Sequence, residues 1–408
     1  MTWKGSLALV GGLLLWIGLF VFCRVEGAFL PWFLFYFYTV IFAYELLAWL
    51  FALRNISVER AVSATRLSAG QSLAIRIRIS RHGLWPTLWL GVSEELPAAW
   101  SVNAEDAHRV VQPLWNTQIN LTYRIHALKR GLYRLGDTRL ETGDVFGLQH
   151  RSRSYQGNME IIVYPQVVPV RGWSGTHPDE TSARQPTSHI TEESSNVMGV
   201  RDYVPGDRLS RIHWKASARN GMLLSKEFEL HVSSDLVFLA DLSKSSHEGI
   251  SASVFELEMI ITASLMKFCF ETHRRFGLLL HGSTLQKFDA GTGEALFLHC
   301  MEALAVAQPD SSIPFTESVL RTARDIQHGG TLVVVSPRMD KDVAVAIHTV
   351  SKWVGVQWFV PYTGETVEAD AHGPLSMMQT AGARVHLVPS AQHLSQLNRG
   401  GERVAIRP

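Results

Sequence analysis

The sequence predicts a multidomain chain: an N-terminal transmembrane helical hairpin, an all-β sandwich and a C-terminal α/β domain. Three patterns predict it. Two long, almost uncharged runs fill residues 1–54, period-two alternation continues to about residue 170, and apolar runs alternate with helical spacing beyond residue 199. At 408 residues the chain exceeds what one core normally organises, so several folded units are expected.

Leu7–Cys23 reads LALVGGLLLWIGLFVFC without one charge, and Ala28–Leu53 is interrupted only by Glu45. A helix needs roughly 17–25 apolar residues to cross the hydrocarbon core, so each run suffices. The connection Arg24-Val25-Glu26-Gly27 is short enough to force antiparallel helices, and Trp3, Trp32, Tyr36 and Tyr38 suit the interfaces. No small-residue cleavage site follows the first run, which argues against a removed signal peptide. Lys4 precedes the hairpin and Arg54, Arg60 and Arg66 follow it. That bias places both ends and the soluble bulk in the cytoplasm, on the inner or plasma membrane. Cys23, Cys269 and Cys300 sit in apolar contexts without CxxC spacing, which agrees with a reducing compartment. Glu45 reads either as a functional intramembrane contact or as a shallow, internally bonded residue.

Residues 55–170 carry short alternating segments at Ser72–Ile79, Leu88–Val92, Gln118–Arg124 and Glu160–Tyr164, separated by turn residues. That spacing predicts an immunoglobulin-like β-sandwich. Residues 171–198 are rich in Ser, Thr, Pro and Glu and predict a linker. In residues 199–408, strands are predicted at Leu236–Ala240, Phe276–Leu280, Thr331–Ser336, Val356–Val360 and Arg384–Val388. Helices are predicted at 252–275, 294–307, 317–327 and 341–353. This order predicts a Rossmann-type, mainly parallel sheet covered on both faces, with ligands beyond its carboxyl ends. With 38 Lys and Arg against 37 Asp and Glu, the chain is no general nucleic-acid binder.

Three segments share a pattern. Arg130-Gly131-Leu132-Tyr133 is followed by Asp144-Val145-Phe146-Gly147-Leu148 and Val163-Tyr164-Pro165. The long motif GVRDYVPGDRLSRIHWKASARNG spans 199–221, and Lys226-Glu227-Phe228-Glu229 closes it. Together these resemble the membrane family catalogued as domain of unknown function fifty-eight. The resemblance implies a β-sandwich followed by a von Willebrand factor A-like domain. It also implies association with MoxR-type AAA+ ATPases and transglutaminase-like membrane proteins. Its motif residues here are Arg201, Tyr203, Pro205, Gly206, Asp207, His213, Trp214 and Lys215, within 199–229.

Physically, 207–221 reads as one helix with Asp207 as N-cap, Gly221 as C-terminal cap, and Leu209, Ile212 and Ala216 on one face. Arg208, Arg211, Lys215 and Arg219 then form a basic stripe. It serves either as a docking face for an acidic partner or as a staple to Asp202, Glu227 and Glu229. His213 and Trp214 read as packing and hydrogen-bonding residues rather than an acid/base pair.

The strongest chemical signal is Asp241-Leu242-Ser243-Lys244-Ser245, directly after the first predicted sheet strand. D-x-S-x-S resembles the metal-ion-dependent adhesion site of von Willebrand A domains, where one carboxylate and two hydroxyls hold a divalent cation. Asp241, Ser243 and Ser245 are thus the candidate ligands for Mg²⁺ or Mn²⁺. Two departures oppose this. Ile313 stands where the family pattern expects Thr, with Ser312 and Thr316 nearby, and Ser336-Pro337 replaces an expected Asp, with Asp340 close by. The other reading is a degenerate site in which Asp241 caps a turn.

No nucleotide-binding P-loop and no H-E-x-x-H, G-x-S-x-G or D-x-D motif occurs, and His247-Glu248 reads as a solvated helix approach. The function these patterns favour is a membrane-anchored protein-interaction module. The alternative is a metal-dependent hydrolase using Asp241 and His213. The orientation is directly testable: in intact cells, Ser72→Cys is expected to stay unmodified by an impermeant thiol reagent. Strong labelling there places the soluble region outside.

Overall fold

The computed structural model describes residues 3–51, 53–82, 86–100, 108–147, 150–173, 197–204, 207, 209–228, 235–326, 330–362, 380 and 383–397. The chain divides into two compact units, Met1–Gln166 and Val167–Pro408.

The first unit opens with α1 (Trp3–Glu26) and α2 (Phe29–Phe51), both long and apolar enough to cross a membrane. They turn at Gly27, whose φ of 66° favours glycine. Trp16 Nε1 donates to Thr39 Oγ1 at 3.0 Å, and Tyr38 donates its hydroxyl to the Gly12 carbonyl at 3.0 Å. A Cβ at Gly12 would lie 3.0 Å from the Phe42 ring, so glycine lets the helices approach. Tyr38, expected as an interface anchor, is therefore a helix–helix contact.

Ten described strands follow: β1 (Ile56–Val62), β2 (Arg66–Ser68), β3 (Leu73–Arg81), β4 (Leu90–Glu94), β5 (His108–Val111), β6 (Gln118–Ile125), β7 (Gly131–Leu135), β8 (Thr138–Gly143), β9 (His150–Tyr155) and β10 (Met159–Tyr164). They form short sheets of order β1-β3-β6, β5-β4-β8-β9 and β2-β10-β7. Ile75, Ile77 and Ile79 of β3 meet Val92, Leu140 and Ile161 in one core. The sequence hid β8 because its inward positions are Thr138, Leu140 and Thr142, two of them polar. Arg60, counted above as a flanking charge, has a side chain only 8% exposed and pairs with the fully buried Glu94 carboxylate at 2.5 Å. Its charge is thus neutralised within the fold.

The second unit carries a hairpin of β11 (Val197–Asp202) and β12 (Leu224–Phe228), with a 3₁₀ turn (Leu209–Arg211) and α3 (Trp214–Asn220) between them. Its main elements are β13 (Leu236–Ala240), α4 (Lys244–His247), α5 (Ala252–Glu271), β14 (Phe276–His281), β15 (Leu285–Gly291), α6 (Glu294–Val306), α7 (Phe315–Asp325), β16 (Thr331–Val335), α8 (Lys341–Val350), β17 (Gly355–Pro361) and β18 (Arg384–Val388). The sheet order is β15-β14-β13-β16-β17-β18, all parallel except the antiparallel edge strand β15. On one face Leu239, Val334 and Trp358 pack with Phe315, Val319, Val343 and Ile347 of α7 and α8. On the other, Phe238 and Phe359 meet Trp173, which also touches Phe268 of α5. Helices therefore cover both faces, as the alternating pattern predicts. The mixed α/β body carries several sheets, and β15 is the strand of the six-stranded sheet that the pattern missed.

The predicted linker starts differently. Trp173 is buried and donates Nε1 to Gln357 Oε1 at 2.5 Å, while the backbone of Val168 and Arg171 donates to Ser264 Oγ and the Leu394 carbonyl, each at 3.0 Å. The segment 168–173 is a strap on the second unit, and residues 174–196 lie outside the described residues. Gly172 in the strap has φ 81°, and a Cβ there would sit 1.7 Å from the Leu397 carbonyl oxygen. Gly172→Ala is expected to cost more than about 2 kcal/mol in denaturant unfolding. An unchanged midpoint would show that the strap does not hold.

Candidate functional site

Between β13 and β16 the connections leave in opposite directions, which makes their carboxyl ends the switch point where ligands bind in open α/β sheets. Asp241 stands there, directly after β13, and is completely buried. Its Oδ1 accepts from Ser243 N at 2.9 Å and from Ser243 Oγ at 2.7 Å, and its Oδ2 accepts from Ser336 Oγ at 2.7 Å. Asp241 N donates to the Val335 carbonyl. One carboxylate thus ties the loop after β13 to the loop after β16. Ser246 Oγ lies 2.7 Å from Ser243 Oγ and continues the hydroxyl cluster.

Ser245 does not join it. It is exposed, and its Oγ accepts from Arg338 Nη1 at 3.4 Å. Asp241 and Ser243 converge as expected, but the second hydroxyl on the carboxylate belongs to Ser336. The substitution that looked like a loss, serine for the expected Asp after β16, supplies that hydrogen bond. Asp340, the nearby alternative, caps α8 by accepting from Val343 N at 2.9 Å and pairs with Arg338 Nε. The Ser311 loop does reach the site, but through its backbone. Ser311 N donates to the Leu242 carbonyl and Lys244 N to the Ser311 carbonyl, while Ser311 Oγ accepts from Ile313 N. The oxygen set suits Mg²⁺ in kind. As placed, Asp241, Ser243 and Ser245 do not form the expected trio of ligands.

Beneath this loop lies a pair that sequence reasoning missed. Glu258 of α5 is fully buried, and its Oε1 accepts from Asp241 N at 2.5 Å. Its Oε2 lies 3.0 Å from His247 Nε2, and His247 Nδ1 lies 3.0 Å from the Ser243 carbonyl. That carbonyl can only accept, so Nδ1 carries a hydrogen and one further proton lies between Nε2 and the carboxylate. His247, expected to be solvated, has a side chain only 8% exposed. Burial alone would lower its pKa. The hydrogen bond and charge of Glu258, the Ser243 carbonyl and the Asp241 charge outweigh that and raise it to about 9. Burial pushes Glu258 upward too. The available signal was Glu258 itself, a glutamate at a position of α5 where the helical spacing calls for an apolar residue.

The long motif folds otherwise than as one helix. Ile212 bridges Ser225 of β12, and the chain between 207 and 221 breaks into the 3₁₀ turn and α3. His213, not Asp207, caps α3, its Nδ1 accepting from Ala216 N at 3.1 Å. Gly221 closes the helix at φ 69°, as expected. Asp207 instead accepts from Val204 N and from Arg201, which hold its carboxyl below the usual range. Tyr203 donates its backbone N–H to the Leu223 carbonyl, and Ser217 Oγ accepts from Leu224 N. Leu209 and Trp214 are 69% and 63% exposed, so neither is the packing residue the helical reading made it. The basic stripe is correspondingly split: Arg211 sits in the 3₁₀ turn, and Lys215 and Arg219 are exposed on α3. Arg208, Pro205 and Gly206 lie outside the described residues, as does Glu229.

Comparison with known proteins agrees with the motif. The family described as "Protein of unknown function DUF58" matches residues 199–357. The "Uncharacterized protein YeaD" of Bacillus subtilis (strain 168) is 29% identical over 308 residues, 74% of this chain and 75% of that protein. The chain is thus similar to the DUF58 family over residues 199–357 and to YeaD over most of its length. Among solved structures, proximal thread matrix protein 1 from the mussel byssus is 13% identical, covering 41% of this chain and 46% of its own, with a TM-score of 0.30. Macromomycin is 13% identical over 25% of this chain and 99% of its own, with a TM-score of 0.13. At such scores neither likeness carries a fold argument.

The buried pair sets a pH dependence. Because its pKa is raised, His247 contributes stability that is complete below about 6.5 and is lost as pH rises through about 9. Thermal unfolding is expected to reveal a loss on the order of 1–3 kcal/mol between about pH 7 and pH 10, flattened in His247→Gln. A variant retaining the full wild-type slope would assign that slope to other groups.

Proposed function

We propose that this chain is a membrane-anchored protein-interaction module whose second unit, a von Willebrand factor A-like domain, meets its partner at the strand-end loops. The carrying observation is the division of labour at the switch point. Asp241 is sealed inside by three hydrogen bonds, while Lys244 and Ser245 are exposed directly above it, with Arg338 partly exposed alongside. A rigid loop that turns hydroxyl and cationic groups outward suits recognition of an acidic side chain. The family resemblance supplies the partner class: a MoxR-type AAA+ ATPase, with a transglutaminase-like membrane protein as a further associate. The two apolar helices supply the anchor, and the immunoglobulin-like sandwich is the spacer between anchor and docking domain.

Two features weigh against the hydrolase alternative. His213 Nδ1 already accepts from Ala216 N, and Asp241 has no exposed surface from which to attack a substrate. A cation-dependent version of the docking reading keeps the hydroxyl cluster of Ser243, Ser246 and Ser336 around Asp241 as its support. It requires Ser245 to turn from Arg338, or a partner carboxylate to replace it.

One pull-down series separates these readings. Lys244→Glu is expected to reduce ATPase capture from native membranes at least tenfold, with the melting temperature nearly unchanged. EDTA is expected to leave capture intact. Capture lost in EDTA, with a Mg²⁺-dependent rise in melting temperature that Asp241→Ala abolishes, would favour the cation-dependent version. Loss only with Lys215→Glu and Arg219→Glu would move the docking face to α3.

A further inference from the structure

We propose that the turn at Asp144–Gly147 is a membrane-interfacial wedge, with Val145 and Phe146 dipping into the lipid surface that the hairpin crosses. This rests on reading α1 and α2 as membrane spans, and three observations within the first unit carry it.

The turn is docked on α2 at a defined height. The Phe146 ring meets Tyr44 edge-on, with centroids 6.1 Å apart, and the Val145 backbone is hydrogen-bonded to the Tyr44 hydroxyl. The Arg151 guanidinium lies 4.8 Å over the Trp49 ring. Trp49 and Tyr44 precede the helix end at Phe51 by two and seven residues, so they stand about 3 and 10 Å below it. That is the zone where aromatic residues and snorkelling arginines meet lipid headgroups.

Despite this docking, the tip leaves its apolar side chains uncovered. Val145 is 63% and Phe146 53% exposed. Asp144, in contrast, is buried, and its carboxylate accepts from Phe146 N at 3.0 Å, so a backbone donor at the tip is satisfied without water.

The exposed apolar surface also extends beyond the turn. Leu114 and Trp115 are 47% and 68% exposed, and Leu114 exchanges both backbone hydrogen bonds with Thr87. Thr87 lines the same shallow pocket as Asp144, Tyr44 and Trp49. Apolar side chains thus gather beside the end of a bilayer-length helix, where lipid is the continuous neighbour. That arrangement is the one by which apolar groups seat in the headgroup boundary.

The test uses the full chain reconstituted in phospholipid vesicles. An environment-sensitive fluorophore is placed at Val145→Cys, at Asn120→Cys as an exposed strand control, and at Phe37→Cys within α2. The native cysteines are buried. Lipids with a nitroxide near the headgroup are expected to quench position 145 at least threefold more than position 120, with aqueous iodide showing the reverse order. If position 37 is quenched by lipid while 145 behaves like 120, the hairpin spans but the wedge is wrong. If position 37 is not quenched either, the membrane reading fails and the wedge falls with it.

Discussion

The second unit depends on a buried carboxylate. Asp241 has no exposure, and a charge so placed is tolerated only when hydrogen bonds replace the water it has lost. Ser243 and Ser336 provide them from loops that leave the sheet on opposite sides of the switch point. The consequence is positional. The loop after β13 is pinned at its first and third residues, Asp241 and Ser243, which fixes where Lys244 and Ser245 emerge. The Glu258–His247 pair repeats the arrangement one layer deeper, holding the backbone at Asp241 from below and the Ser243 carbonyl from the side. Every exposed group there inherits its place from this polar stack.

Much of the fold was legible because period and length carry it. The two helices followed from uncharged runs long enough to span a bilayer, and all five parallel strands followed from continuous apolar runs bounded by turns. What escaped was polar or edge structure. β15 alternates exposed and half-buried residues with charges at Lys287 and Asp289, as an edge strand does, and gave no apolar run to find. β8 packs threonines inward where the pattern looks for aliphatic residues.

The site divides in the same way. Asp241 and Ser243 were legible because they stand two residues apart directly after a buried strand. Ser336 and Glu258 were not, since they arrive from residues far along the chain and are joined only by the fold. The long motif misled for a local reason. Its basic residues have helical spacing, yet Ile212 pairs with Ser225 and His213 takes the cap, which leaves too few residues for one continuous helix. Side-chain spacing described the stripe, while backbone hydrogen bonds decided where the helix could begin.

The strap at 168–173 has a mechanical meaning. Trp173 does not rest on an edge of the sheet. It touches Phe238 of β13 and Phe359 of β17, two strands separated by one other, and its indole is bonded to Gln357. Tension along the chain between the two units would therefore load the interior of the sheet in shear, through a side chain gripped by three rings. It would not peel strands one at a time from an edge. A connection built this way transmits a pull to the domain as a whole.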